Sequence, residues 1–224
     1  MKSYWLNNTN NKNLIVIFLG WSFDENPIKF LDCSGYDILL IYDYNNLEIP
    51  QELKNLESYH NKILISWSMG VFTAYLMKDL FKNFNYKLAI NGTVTPVDDE
   101  YGIPVKLFEL TLKHAATGLG TGGKFYKNVF QTEEEFQKYL NTPVKRTIEN
   151  RVSELQNLYN LIKTTNIKYE KFYDKAIVCE FDKIIPPKNQ IASHKKNNVP
   201  IIQLPYGHGP LYNFESWDEV VKCK

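Results

Sequence analysis

The sequence predicts an α/β fold built on a mainly parallel sheet, and three observations carry that prediction. Apolar, strand-like runs alternate with helical patterns along most of the chain. One run, KILISWSMGV from Lys62 to Val71, passes through a turn of small residues directly into a helix. An aspartate and a histidine then follow the ends of two later strands, where the sites of such sheets lie.

In chain order, residues 3–6 read as a short edge strand, closed by the polar cluster NNTNNKN. Leu14 to Leu19 is a fully apolar strand. It runs into Gly20-Trp21, after which Ser22, Asp24 and Glu25 open a short helix with Pro27 near its start. Asp37 to Tyr42 is the next strand, and Gln51 to Tyr59 is expected as a helix. Ile63, Leu64 and Ile65 mark a strand buried on both faces. Ser66, Ser68 and Gly70 then supply small residues at alternate positions, and the helix beyond them carries apolar side chains from Val71 to Phe81. Lys87 to Ile90 is a further strand, followed by a long loop through Asp99.

From residue 102 to residue 171 the pattern changes. Helical periodicity appears at 104–115, 132–140 and 144–164 with no convincing strand, which predicts a helical cap inserted into a core made of residues 1–101 and 172–224. The run GLGTGG at 118–123 lacks the preceding strand and the Lys-Ser/Thr pair of a phosphate loop, so it reads as a flexible joint between cap helices. The sheet resumes at Lys175 to Glu180 and ends with Pro200 to Leu204, and a final helix is expected over Phe214 to Val220.

Composition narrows the function. With 224 residues, 44% of them apolar, the chain can bury one substantial core. A net charge of +1 supplies no global field for nucleic acid or an anionic membrane. Cys33, Cys179 and Cys223 are odd in number and widely spaced, which suits free thiols in a reducing compartment better than a disulfide framework or a metal site. The N-terminus has no apolar leader core, and no uncharged run reaches membrane-spanning length. The expectation is a cytoplasmic monomer without cofactor or metal.

The strand-turn-helix around Ser68 is the setting of a nucleophile elbow, with Ser66 standing where the G-x-S-x-G pattern has its first glycine. A serine hydroxyl is a weak nucleophile, so it needs a base in reach and a third group that holds the base in the right tautomer. His208, between two glycines after the last strand, is the candidate base. Asp182, just beyond the preceding strand, is the favoured acid, and Asp98 is a second aspartate from which an acid could reach the same imidazole. The order Ser68, Asp182, His208 is that of α/β-hydrolases with an inserted cap. Two backbone donors are expected to face the oxyanion: Met69 after the nucleophile and Trp21 after the first long strand. Trp67 is expected to wall an apolar acyl pocket.

These segments, FLGWSFDEN, ISWSMGVFTAY, AINGTVTPVDDEYGIP, EFDKIIPPKNQ and YGHGP, resemble the pimeloyl-[acyl-carrier protein] methyl ester esterases of the BioG type, which are small α/β-hydrolases of biotin biosynthesis. The likeness covers most of the chain and is weakest from residue 110 to residue 170. It implies cleavage of the methyl ester of pimeloyl-acyl carrier protein, with Ser68 as nucleophile, His208 as base, Asp182 as acid, and Trp21 and Met69 as oxyanion donors. A generalist carboxylesterase or an acyl thioesterase is the alternative on the same fold. An acyl carrier protein is acidic and calls for a basic docking surface. Arg146 and Arg151, the only two arginines, both fall in the expected cap and are the docking candidates.

Overall fold

Among the described residues seven strands form one sheet: β1 (Lys2–Asn7), β2 (Asn13–Phe18), β3 (Asp37–Tyr42), β4 (Asn61–Trp67), β5 (Tyr86–Ile90), β6 (Lys175–Cys179) and β7 (Ile201–Leu204). The computed structural model describes residues 1–118 and 123–223. Strand order is β1-β3-β2-β4-β5-β6-β7. Only the β1–β3 pair is antiparallel, with Lys2 opposite Tyr42. The other pairs are parallel, and their register sets Phe18 beside both Ile41 and Ser66, and Ser66 beside Ala89. β2, β3 and β4 are buried along most of their length, with apolar runs Leu14–Phe18, Ile38–Tyr42 and Ile63–Ile65 at their centres.

The helices are α1 (Gln51–Lys54), α2 (Met69–Leu76), α3 (Val105–Gly118), α4 (Lys124–Val129), α5 (Glu133–Asn141), α6 (Ile148–Thr164), α7 (Pro187–Lys196) and α8 (Trp217–Lys222). α2 begins directly at the carboxyl end of β4 and buries every residue from Met69 to Tyr75, as its all-round apolar sequence requires. α3 to α6 all fall between β5 and β6. α5 starts on a capping box in which Thr132 and Glu135 satisfy each other's backbone donors, and the Thr147 hydroxyl caps α6.

Several expected elements differ. The helix expected through Tyr59 is a single turn: at Asn55 the backbone leaves the helical region (φ −121°, ψ 62°), and the following ESYHN stretch is poor in helix formers. The helix around Val71 starts earlier, at Met69, and changes at Met77 to a 3₁₀ turn over Lys78–Phe81. The short helix expected after Ser22 reduces to a 3₁₀ turn at Asn26–Ile28, with the Asp24 side chain taking the Asn26 N–H just before it. α4 had no periodic signal, since six residues are too few to show one. Residues 119–122, most of the expected GLGTGG joint, lie outside the described residues.

Candidate active site

The chain runs from β2 outward to β3 and then crosses to β4 on the other side of β2. The sheet's switch point therefore falls between the carboxyl ends of β2 and β4, where an α/β sheet opens a crevice. Gly20 and Trp21 leave β2 there, and Ser68 leaves β4. Ser68 sits at φ 57°, ψ −124°, a conformation that a residue with a Cβ holds only when its surroundings force it. The forcing is visible at Gly70, where a Cβ would lie 2.2 Å from the Phe18 carbonyl oxygen. The turn is tight because α2 must start against the end of β2. Its effect is to leave the Ser68 hydroxyl at the apex.

Ser68 Oγ lies 2.9 Å from His208 Nε2, and His208 Nδ1 lies 2.8 Å from Asp182 Oδ2. With Nδ1–H donating to the carboxylate, Nε2 is left as the acceptor facing the hydroxyl. All three residues are buried. Asp182 is held by three further donors: the Ile184 and Ile185 N–H groups on Oδ1 at 2.8 and 2.9 Å, and Gln190 Nε2 on Oδ2 at 2.8 Å. Its carboxylate is thereby held in place against the imidazole. Asp98 does something else. Its Oδ1 accepts the Glu100 and Tyr101 N–H groups at 2.8 Å and closes the turn before α3.

The histidine loop is anchored by groups that motif spacing did not reveal. Trp67 Nε1 donates to the His208 carbonyl at 2.8 Å, so this tryptophan both walls the cavity and holds the His208 backbone. Asn91 Nδ2 donates to the Gly207 and His208 carbonyls at 3.0 Å, while its Oδ1 accepts the Cys179 N–H at 2.8 Å. Gly207 is small because Gln131 presses on it: a Cβ would meet the Gln131 nitrogen at 2.9 Å. Asn91 stands at the end of β5 in a left-handed conformation (φ 43°), a placement asparagine tolerates, and that was its one sequence signal. Gln190, inside α7, had none. Cys179 lies close by, and burial pushes its thiol up to about 12, against the hydrogen bond from Asn91.

Gly20, Trp21, Trp67, Ser68, Met69 and His208 are among the residues lining a cavity of about 470 Å³. Phe23, Ile103, Phe108, Phe125, Leu155 and Ile184 supply apolar wall, with α3, α4 and α6 closing it over. Lys124, Lys183 and His114 are its charged or titratable members besides His208, and no carboxylate lines it among the described residues. The Trp21 and Met69 N–H groups donate to no protein acceptor among the described residues, which leaves both available on the side of the cavity where Ser68 lies.

The two arginines expected to dock a carrier are placed elsewhere. The Arg146 side chain is 5% exposed, pairs with Asp43 and Glu154 at 3.2 and 2.9 Å, and donates to the Phe23 carbonyl. Arg151 is 4% exposed, and its guanidinium donates to the Tyr126 hydroxyl and to the Thr147 carbonyl. Both are spent inside the joint between the inserted helices and the sheet. This corrects the docking expectation: a guanidinium buried against carboxylates and carbonyls presents no charge to a partner.

A seven-stranded hydrolase sheet with a hydroxyl, an imidazole and a carboxylate in line at its switch point defines a class, that of α/β-hydrolases acting on esters. The model of the family described as Pimeloyl-ACP methyl esterase BioG matches residues 1–220, and the chain belongs to that family. Among solved structures, BioG from Haemophilus influenzae superposes with a TM-score of 0.85 at 26% identity, covering 97% of this chain and 98% of that one. A lipase-esterase related protein from Clostridium acetobutylicum shares the fold, with a TM-score of 0.61 at 17% identity over 94% and 93% of the two chains. A malonyl-[acyl-carrier protein] O-methyltransferase of Bacteroides fragilis is 32% identical over 189 residues, which are 83% of this chain but only 37% of that protein's length. Among the described residues no helix is long and apolar enough to cross a membrane.

Proposed function

We propose that the protein hydrolyses the methyl ester of pimeloyl-[acyl-carrier protein] methyl ester, with Ser68 as nucleophile, His208 as general base and acid, and Asp182 as the group that orients the base. The observation that carries this reading is the 2.9 Å contact between Ser68 Oγ and His208 Nε2. Ser68 Oγ attacks the ester carbonyl carbon as its proton passes to His208 Nε2, and the carbonyl oxygen becomes an oxyanion. The Trp21 and Met69 N–H groups receive that oxyanion, a task in which losing one donor costs about 10² to 10³ in rate. Collapse breaks the bond to the methoxy oxygen, which takes the proton from His208 and leaves as methanol. Water, deprotonated by His208, then releases the free carboxylate and restores Ser68.

The apolar cavity suits a methylene chain, and residues 102–171 act as the cap over a core of residues 1–101 and 172–224. The carrier stays outside, where the exposed Lys124 and Lys183 at the cavity replace the two arginines as the cations able to meet its acidic surface. Incubation with methyl-pimeloyl-acyl carrier protein tests the proposal. Methanol should be released by the parent protein and fall to background in Ser68→Ala. Faster turnover of short p-nitrophenyl esters than of the carrier-bound ester would instead make this a generalist esterase.

A further inference from the structure

Residues of α4 and α6 reach under the loop that follows β2 and hold it from below. Ser22, next to the expected oxyanion donor Trp21, has φ 76°, an uncommon value for a residue with a Cβ. Its N–H donates to Glu154 Oε2 at 3.1 Å, and the other oxygen of the same carboxylate accepts the Tyr44 N–H at 2.8 Å. The Ser22 hydroxyl is hydrogen-bonded to the Tyr126 hydroxyl, which also receives Arg151. Trp21 Nε1 donates to the Arg151 carbonyl at 2.7 Å. Glu154 is fully buried, and Arg146 closes the set by pairing with Glu154 while donating to Phe23. A buried carboxylate is retained at a cost that only paired, well-oriented donors offset. Here its donors include the backbone of the residue after Trp21.

We propose that Glu154 is a positioning residue for ester cleavage: from α6 it locks the left-handed backbone of Ser22 and thereby aims the Trp21 N–H at the oxyanion formed on Ser68. This rests on the reading of Trp21 as an oxyanion donor given above. It makes the inserted helices part of the catalytic geometry as well as the roof of the cavity. The carboxylate can take two backbone donors at once, whereas an amide offers one acceptor oxygen and turns an N–H toward the second donor.

Glu154→Gln tests it, read by steady-state kinetics on a small methyl ester and by inhibition with an alkyl trifluoromethyl ketone. Ser68 Oγ adds to that ketone to form a hemiketal oxyanion, so its Ki reports the oxyanion hole directly. The expected result is a kcat lowered by about tenfold to 10²-fold with KM changed less than about threefold, and a Ki raised by a similar factor as kcat falls. An unaltered Ki, or a fall in kcat that Ki does not follow, overturns the proposal. Should Glu154→Gln fail to fold, Tyr126→Phe removes the hydroxyl under Ser22 and should shift kcat and Ki together by a smaller factor. Unchanged kcat and Ki in a folded Tyr126→Phe likewise overturn it. A parent protein that cleaves no ester and is not labelled at Ser68 by a fluorophosphonate would sink the enzymatic reading itself, a different outcome from an active parent with an indifferent Glu154.

Discussion

Asn91 and His208 are joined across the sheet: the Asn91 amide grips the His208 carbonyl at 3.0 Å from the end of β5, and its oxygen takes the Cys179 N–H of β6. The imidazole can face Ser68 only while its backbone stays there. Asn91→Ala would leave buried backbone groups without partners, at about 1–3 kcal/mol for each group truly orphaned. The expected outcome is a urea midpoint lowered accordingly, with kcat reduced between about 10-fold and 10²-fold as the base moves off line. An alanine variant with parental kcat would show that Trp67 alone suffices to hold the loop.

Gly70 makes the turn at Ser68 possible. In Gly70→Ala the new methyl would lie 2.2 Å from the Phe18 carbonyl oxygen and 2.8 Å from that of Leu19, both backbone atoms at the end of β2. Nothing there can rotate away. The variant should lose more than about 3 kcal/mol of stability, in the range of severe overpacking, or fail to accumulate as folded protein. Circular dichroism melting checks this. Ser66, also in the elbow, is different: it lies within β4, and its small side chain is accommodated fully buried where the G-x-S-x-G pattern has glycine.

Much of this site could be read before the structure because its signals are local. The apolar strand runs, the small residues around Ser68, and the placement of Asp182 and His208 after strands each depend on a few adjacent residues. Most supports of those residues are not local. Asn91 and Glu154 act across 117 and 132 positions in sequence, and only the folded sheet brings their partners together, while Gln190 reaches Asp182 from α7 across 8. The arginines show the converse. Their residue type suggested a surface task, but whether a charge is buried depends on neighbours such as Asp43 and Glu154, whose meeting with Arg146 is set by the fold and not by the adjacent sequence. The desolvation those neighbours tolerate leaves no pattern in the chain itself.

Lys124 and Lys183 are exposed at the cavity, and neither forms an ion pair among the described residues. Reversing both charges, Lys124→Glu with Lys183→Glu, should raise KM for the carrier-bound ester by roughly tenfold, since each exposed pair is worth up to about 1 kcal/mol. KM for a small methyl ester should stay within about twofold. Added salt should narrow the gap between parent and variant on the carrier-bound substrate, because exposed charges are screened over about 10 Å at 0.1 M. Equal effects on both substrates would count against a docking role.

His194 ties stability to pH. It lies in α7, 3% exposed, and burial holds its imidazole down at about 4, against a hydrogen bond with the backbone of Gly92 that favours the charged form. The ordinary value is near 6.5, so between these two pH values the unfolded chain binds a proton that the folded chain refuses. Stability from this group is therefore fully present above about pH 6.5 and is lost progressively as pH falls toward 4. A shift of that size corresponds to about 3 kcal/mol in total, of which roughly 2 kcal/mol should be gone between pH 7 and pH 5. His194→Gln removes the titrating group, so its urea midpoint should fall less than the parent's over the same interval. Parallel pH profiles for the two proteins would show that the imidazole is as readily protonated in the fold as in the unfolded chain.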